Sequence, residues 1–262
     1  MAPHAPKYST SIFALAVTCL AVCLAPQTAS LQTAAVRRIA VTPEHATSLN
    51  PMISGDGRRV VFETTADLAG RDASPQFRAL AADVSTDPPT YSAVAASRAP
   101  APAVSRDGTR VAFSSADDPA GANADRNPEI FLSSGGTLRQ LTDTAPRDAS
   151  TRPRDGSFRP SISDDGRLVA FTSNRDLAGA NADGNDEIFL LDSHTDSFKQ
   201  LTDTVAPTRH SDAKLSGDGS RVAFVRESFA HTRPEDPEPG RALVIHERAT
   251  GRTRAVAENA AR

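Results

Sequence analysis

The sequence predicts an all-β fold, a β-propeller of four four-stranded blades. Three observations predict it. A turn motif, Ser-x-Asp-Gly, recurs four times in the 262 residues; a short apolar strand ending in Phe follows each copy; and two further strand-like segments follow each apolar strand. Four strands in a period near fifty residues is the plan of a propeller blade. Aromatic residues make up 5% of the chain, Trp is absent and there are 19 Pro, which suits short strands and loops rather than a large helical core.

The turn copies are Pro51-Met52-Ile53-Ser54-Gly55-Asp56-Gly57, Pro102-Ala103-Val104-Ser105-Arg106-Asp107-Gly108, Pro160-Ser161-Ile162-Ser163-Asp164-Asp165-Gly166 and Ala213-Lys214-Leu215-Ser216-Gly217-Asp218-Gly219. Their Asp residues are 51, 58 and 53 positions apart. Asp-Gly between apolar runs predicts a hairpin through a tight primed turn, with positive φ angles at the turn and the Ser hydroxyl on turn backbone. Four copies at one blade position mark these Asp residues as structural rather than catalytic. After a gap of two residues come Val60-Val61-Phe62, Val111-Ala112-Phe113, Val169-Ala170-Phe171 and Val222-Ala223-Phe224. Apolar residues in succession, rather than in alternation, predict strands covered on both faces. Phe62, Phe113, Phe171 and Phe224 are expected at equivalent core positions.

The third strands are read at Phe77-Arg78-Ala79-Leu80, Glu129-Ile130-Phe131-Leu132, Glu187-Ile188-Phe189-Leu190-Leu191 and Ala242-Leu243-Val244-Ile245. The fourth are read at Tyr91-Ser92-Ala93-Val94, Arg139-Gln140-Leu141-Thr142, Lys199-Gln200-Leu201-Thr202 and Thr253-Arg254-Ala255-Val256. Blades then fall near residues 50–98, 101–144, 159–204 and 212–257, with an N-terminal strand and linker over 31–49 and a tail over 258–262. Residues 37–42 resemble another fourth strand, so either this segment or the one starting at Arg252 completes the last blade. The alternative architecture is an open half-propeller that dimerises.

These blocks, with Glu-Ile-Phe-Leu and Gln-Leu-Thr-Asp following the Val-Ala-Phe strand, resemble the TolB-type propeller repeat over roughly residues 36–257. The second and third repeats match it best. The resemblance implies the propeller fold and little about activity, since such repeats occur in TolB, in the propellers of prolyl-oligopeptidase-type enzymes and in many secreted proteins.

The N-terminus reads as an address. Lys7 precedes a 14-residue apolar run from Ile12 to Ala25, with small residues Thr28 and Ser30 beyond it. A basic start and a run too short for a membrane span predict a signal peptide over 1–30, cleaved near Ser30, and a periplasmic or secreted protein. Both Cys, Cys19 and Cys23, fall inside it. The formal net charge of -3 gives no electrostatic footprint for nucleic acid. His45, His194, His210, His231 and His246 show no metal-ligand spacing, and neither Gly-x-Ser-x-Gly nor His-Glu-x-x-His occurs.

One pattern does point to a ligand. Oxygen-bearing side chains alternate along the loop before the third strand: Asn181, Asp183, Asn185 and Glu187 in repeat three, with Asp176 upstream, and Asn123 and Asp125 in repeat two, with Asp118 upstream. Such spacing resembles the start of a calcium loop, although its Gly184 stands fourth rather than sixth. No other cofactor is expected. The absence of any catalytic constellation favours a non-catalytic scaffold binding a protein or glycan in the envelope or outside the cell. A propeller enzyme (hydrolase or lyase) with a loop-built site, and a calcium-stabilised module, are the alternatives. The contact loops are expected at 71–75, 144–159, 205–212 and 231–240.

Overall fold

The computed structural model describes residues 36–70, 76–148, 150–151, 154–205, 207–229 and 240–260. Two compact units are distinguished, Met1–Arg37 and Arg38–Arg262, and every element below belongs to the second. The predicted signal peptide, loop 71–75 and insertion residues 231–239 lie outside the described residues.

Four four-stranded antiparallel sheets follow one another along the chain, and the described residues contain no α-helix. Sheet one is β1 (Ser48–Ile53), β2 (Arg59–Thr64), β3 (Arg78–Asp83) and β4 (Thr90–Ala95). Sheet two is β5 (Ala103–Val104), β6 (Arg110–Ser115), β7 (Glu129–Ser134) and β8 (Thr137–Gln140). Sheet three is β9 (Ser157–Ile162), β10 (Leu168–Ser173), β11 (Glu187–Asp192) and β12 (Ser197–Gln200). Sheet four is β13 (Arg209–Leu215), β14 (Arg221–Ser228), β15 (Gly240–Glu247) and β16 (Arg252–Ala260). In every sheet the spatial order is the chain order, the pattern of propeller blades. No helix of the described residues is long and apolar enough to cross a membrane.

The repeated turn differs from the primed hairpin in a specific way. Only its Gly adopts positive φ, between 68° and 73° at Gly57, Gly108, Gly166 and Gly219. The Asp stays at negative φ and works through its side chain. In the first copy Asp56 Oδ1 accepts the Ser54 hydroxyl at 2.6 Å and the Arg58 N–H at 3.0 Å, while Ser54 Oγ accepts the Arg59 N–H at 3.0 Å. The other three copies repeat all three bonds. The Ser hydroxyl, first in line, holds the Asp218 carboxyl down to about 2. The Asp is therefore a turn clamp, as its fourfold recurrence implied.

Six residues before each turn Asp stands a non-glycine residue at positive φ: Asn50, Arg159 and Asp212 within the first strands and Ala101 just before β5, between 50° and 56°. In sheets one, three and four the pairing register shifts there, so the strand bulges and bends.

Consecutive sheets pack face to face through apolar joints. Phe113 and Phe131 of sheet two meet Ala79 and Ala95 of sheet one. Phe171 and Phe189 of sheet three meet Ala112, Ile130 and Leu132 of sheet two. Phe224, Val222 and Val244 of sheet four meet Ala170, Ile188 and Leu190 of sheet three. The four Val-x-Phe rings are all buried, and Phe113, Phe171 and Phe224 each pack against the preceding sheet. Phe62 has no preceding sheet; Ile39, Ala40, Leu68 and Tyr91 cover its side of sheet one instead, and the Tyr91 hydroxyl donates to Ile39 O at 2.6 Å.

This settles which terminal segment completes the last blade. β16 does, pairing with β15 from Gly240↔Ala260 to Glu247↔Arg252, so part of the predicted tail is strand. Residues 37–42 form no strand. A row of main-chain bonds also ties the turns together across the joints: Asp56 N–H to Arg106 O at 2.9 Å, Arg106 N–H to Asp164 O at 3.0 Å and Asp164 N–H to Gly217 O at 2.8 Å.

Candidate functional site at the loop end of the sheets

Because the strands alternate in direction, the loop between a sheet's second and third strands and the connector to the next sheet emerge at the same end. At that end, between sheets one and two, lies a cleft of about 470 Å³ lined by Phe77, Arg98, Asp117, Asp118 and Arg126 among others. Arg98 anchors it. Its Nε donates to Glu63 Oε1 at 2.9 Å, its Nη2 to Oε2 at 3.2 Å, and its guanidinium lies 4.6 Å from the Phe77 ring centroid. Glu63 is fully buried and also accepts from Asn50 Nδ2 and the Ala99 N–H. Burial pushes its carboxyl up, but the bonds from Arg98, Asn50 and Ala99 outweigh that and hold it below the ordinary carboxylate range. Arg98 keeps half of its side chain in solvent, and the Asp117 carboxylate accepts its N–H at 3.2 Å. The cleft therefore offers two guanidiniums and two carboxylates around an aromatic ring. That surface suits polar, charge-bearing partners.

The loops expected to hold calcium are organised around buried hydrogen-bond nodes. Glu129 accepts from the Asn127 amide at 2.9 Å, the Thr144 N–H at 2.7 Å, the Thr144 hydroxyl at 2.6 Å and the Thr142 hydroxyl. Glu187 accepts from the equivalent Asn185, Thr204 and Thr202 groups. It has one further neighbour, the buried His210, whose Nδ1 stands 3.1 Å from Oε2. Burial pushes Glu129 above the ordinary range. Burial also pushes Glu187 up, but there His210 and the two Thr hydroxyls outweigh it and the carboxyl is held low.

The remaining predicted ligands serve the loop backbone. Asp118 Oδ1 accepts the Asn123 N–H at 2.9 Å, and Asp176 Oδ1 accepts those of Ala180 and Asn181 at 2.8 and 3.2 Å. The amide NH₂ groups of Asn123 and Asn181 close the loop on Asn127 O and Asn185 O. Asp183 is exposed and Asp125 half-buried. Among the described residues, no group of three or more His, Cys, Asp or Glu is placed to hold a metal ion. Yet the side-chain oxygens of Asn123, Asn127, Asn181 and Asn185 are buried without a hydrogen-bond partner, at equivalent points of two blades.

The predicted contact loop 144–159 has its own clamp. Asp155 is buried and takes the Arg147 N–H at 2.8 Å, the Arg147 guanidinium and the Thr151 hydroxyl. Arg147 holds its carboxyl far below the usual range. Sequence reasoning missed Arg98, Arg126 and Phe77, because Glu63 and Arg98 stand 35 residues apart with no motif between them. It also passed over His210, which takes the place of Ser157 in the repeat: the N–H groups of Ser157 and His210 donate to Pro128 O and Asp186 O, both at 2.8 Å. Aligning the repeats one against another would have exposed it.

No protein-family model matches the chain, and no curated protein matches it. Solved structures do match. TolB from Acinetobacter baumannii is similar over 80% of this chain and 43% of its own, at 20% identity and a TM-score of 0.50. An oligogalacturonate lyase in complex with manganese is similar over 81% of this chain and 54% of its own, at 13% identity and a TM-score of 0.50. The oligogalacturonate lyase of Vibrio parahaemolyticus is similar over 80% and 53%, at 14% identity and a TM-score of 0.50. The chain thus spans about half the length of the structures it matches.

Proposed function

From the TolB-like β-propeller fold we propose that the chain is a periplasmic or secreted binding scaffold, holding a protein or glycan partner at the loop end without catalysing a reaction. One observation carries this reading. The buried groups suited to chemistry, Glu63, Glu129, Asp155, Glu187 and His210, face inward and fix loops, whereas the open cleft presents Arg98, Arg126, Asp117 and Asp118 to solvent. Function on a rigid β frame sits in such loops. The fold is shared by TolB and by lyases, so it is compatible with either class.

Capture of a partner by the purified chain tests the proposal. Arg126→Glu reverses one exposed charge of the cleft and should weaken capture while leaving the melting midpoint unchanged. Hydrolase or lyase activity that one carboxylate substitution at the loop end abolishes would replace the scaffold with an enzyme. Export is tested separately, by the N-terminal sequence of the protein recovered outside the cytoplasm; a chain still beginning at Met1 rejects it.

A second reading, a calcium-stabilised module, is favoured by the four unpartnered amide oxygens. Calcium should then raise the melting midpoint and a chelator should reverse the rise. A midpoint indifferent to both removes that reading.

A further inference from the structure

Each joint between consecutive sheets repeats the same parts, and the two ends of the series carry unmatched halves of them. The N–H of one turn donates to a carbonyl of the next, through Asp56, Arg106 and Asp164 in succession. The fourth turn has no acceptor for the Gly217 N–H among the described residues, and the first has no donor for the Gly55 carbonyl. A second part is steric. The side chain two residues beyond each turn Gly lies over the Gly of the following turn: Arg59 over Gly108, Arg110 over Gly166 and Leu168 over Gly219. Arg221, at that position in sheet four, is exposed. Gly57, the corresponding cover site in sheet one, has open space around it.

The apolar faces show the same asymmetry. Ile188 of sheet three is buried against sheet four at 0% exposure. Register places Leu243 at the equivalent point of sheet four, because Phe171 pairs with Phe189 as Phe224 pairs with Val244. Leu243 is 44% exposed. Ala223, Val225 and Ile245 on the same face are only half-buried. At the other end, the face of sheet one bearing Phe62 and Leu80 is covered, among the described residues, by Ile39, Ala40, Leu68 and Ala69 rather than by a sheet.

We propose that the far face of sheet four docks on the front of sheet one of a second copy, head to tail, repeating the joint already made three times within the chain. Gly217 N–H then meets the partner copy's turn, Arg221 covers its open turn Gly, and Leu243 and Ile245 are buried. The occupant is a second copy because sheet one of this chain carries the complement of the unmatched turn parts, the Gly55 carbonyl and the open Gly57, and presents the half-buried Ile39 and Ala40 to Leu243 and Ile245. The contact is heterologous; it closes on itself when two copies engage reciprocally, and extends into a chain when they do not.

Light scattering coupled to size exclusion, run on the full chain from micromolar to near-millimolar concentration, tests the proposal. The expected mass rises with concentration to at least twice the monomer. Leu243→Arg disables the far face of sheet four and Ile39→Arg the front of sheet one. Each variant alone should run as a monomer, with circular dichroism matching the parent. A mixture of the two should recover a one-to-one dimer, since each retains the half the other lacks. Arg221→Glu, at an exposed position, gives the sheet-four reading again should Leu243→Arg fail to fold. A parent that stays monomeric at every concentration overturns the proposal. So does a mixture that stays monomeric while the parent associates, and so does an Ile39→Arg variant that still dimerises alone, because that result belongs to sheet four pairing with its own kind.

Discussion

The loop nodes of sheets two and three are built from the same parts and shift their central carboxyl in opposite directions. Glu129 and Glu187 each begin a third strand, and each takes an Asn amide, a Thr N–H and two Thr hydroxyls. The difference lies in what the next sheet brings. Sheet three brings Ser157, whose hydroxyl turns to Ser173 at 3.1 Å. Sheet four brings His210 to Glu187 and packs its ring edge-on against Phe224, 5.4 Å between centroids. Four neutral donors do not offset the burial of Glu129; the same donors with an imidazole more than offset that of Glu187. A repeated hydrogen-bond scaffold thus sets geometry, while one residue from the adjacent sheet sets the direction in which the carboxyl is shifted.

The comparison can be broken by substitution. The largest effect is expected from Glu187→Gln, which removes an ionised acceptor from a buried node of four donors and the His210 ring, and should cost about 3 kcal/mol. Glu129→Gln keeps the shape of a carboxyl already biased toward neutrality, and should cost about 1 kcal/mol. Urea denaturation measures both, and equal losses would show that the two nodes are energetically alike. An intermediate loss, about 2 kcal/mol, is expected from His210→Ser, which removes the imidazole that stands 3.1 Å from the Glu187 carboxylate. Carboxyl resonances followed by NMR should show Glu187 moving from below the ordinary Glu value to above it. No movement would assign the low state to the Thr hydroxyls instead.

The smallest effect is the pH profile, and the two nodes contribute to it with opposite sign. Glu187 is lowered on folding, so its contribution is complete above the ordinary Glu pKa of about 4.3 and is lost as pH falls through its folded value. Glu129 is raised, so the folded state binds the proton more tightly. Its contribution is present at acid pH and declines as pH rises from about 4.3 through its folded value. Urea midpoints against pH should lose their acid-side slope in Glu187→Gln and the decline above it in Glu129→Gln. Parallel curves for the two variants would remove the distinction.

The frame of the molecule was legible because its chemistry is local and repeated. A Ser hydroxyl two residues before an Asp, a Gly after it and a Val-x-Phe run lie within a dozen residues, and all four copies form the hairpin they spell. The turn type was misread because Asp-Gly also suits a primed turn; here the Asp side chain rather than its φ angle does the work, as Ser first, Asp third and Gly fourth in a turn imply. Residues 37–42 were read as a strand from their resemblance to 139–144, but a strand needs an edge to pair with, and their place on sheet one comes from Ile39 and Tyr91 across 52 residues. The loop amides and acids were legible as a cluster. Their use was not, because the Thr hydroxyls that Glu129 and Glu187 meet come from the end of the fourth strand.

The bonds that tie one turn to the next also make the joints separately observable. The amide protons of Asp56, Arg106 and Asp164 sit in surface turns, where exchange with deuterated solvent is ordinarily fast, yet each is held by a carbonyl of the neighbouring sheet. Their exchange requires the sheets to part, so each amide times the opening of one joint. Three protons in one spectrum would rank the joints by the free energy of separation, and the amide of Gly217 supplies the unprotected reference at dilutions where the chain is a monomer.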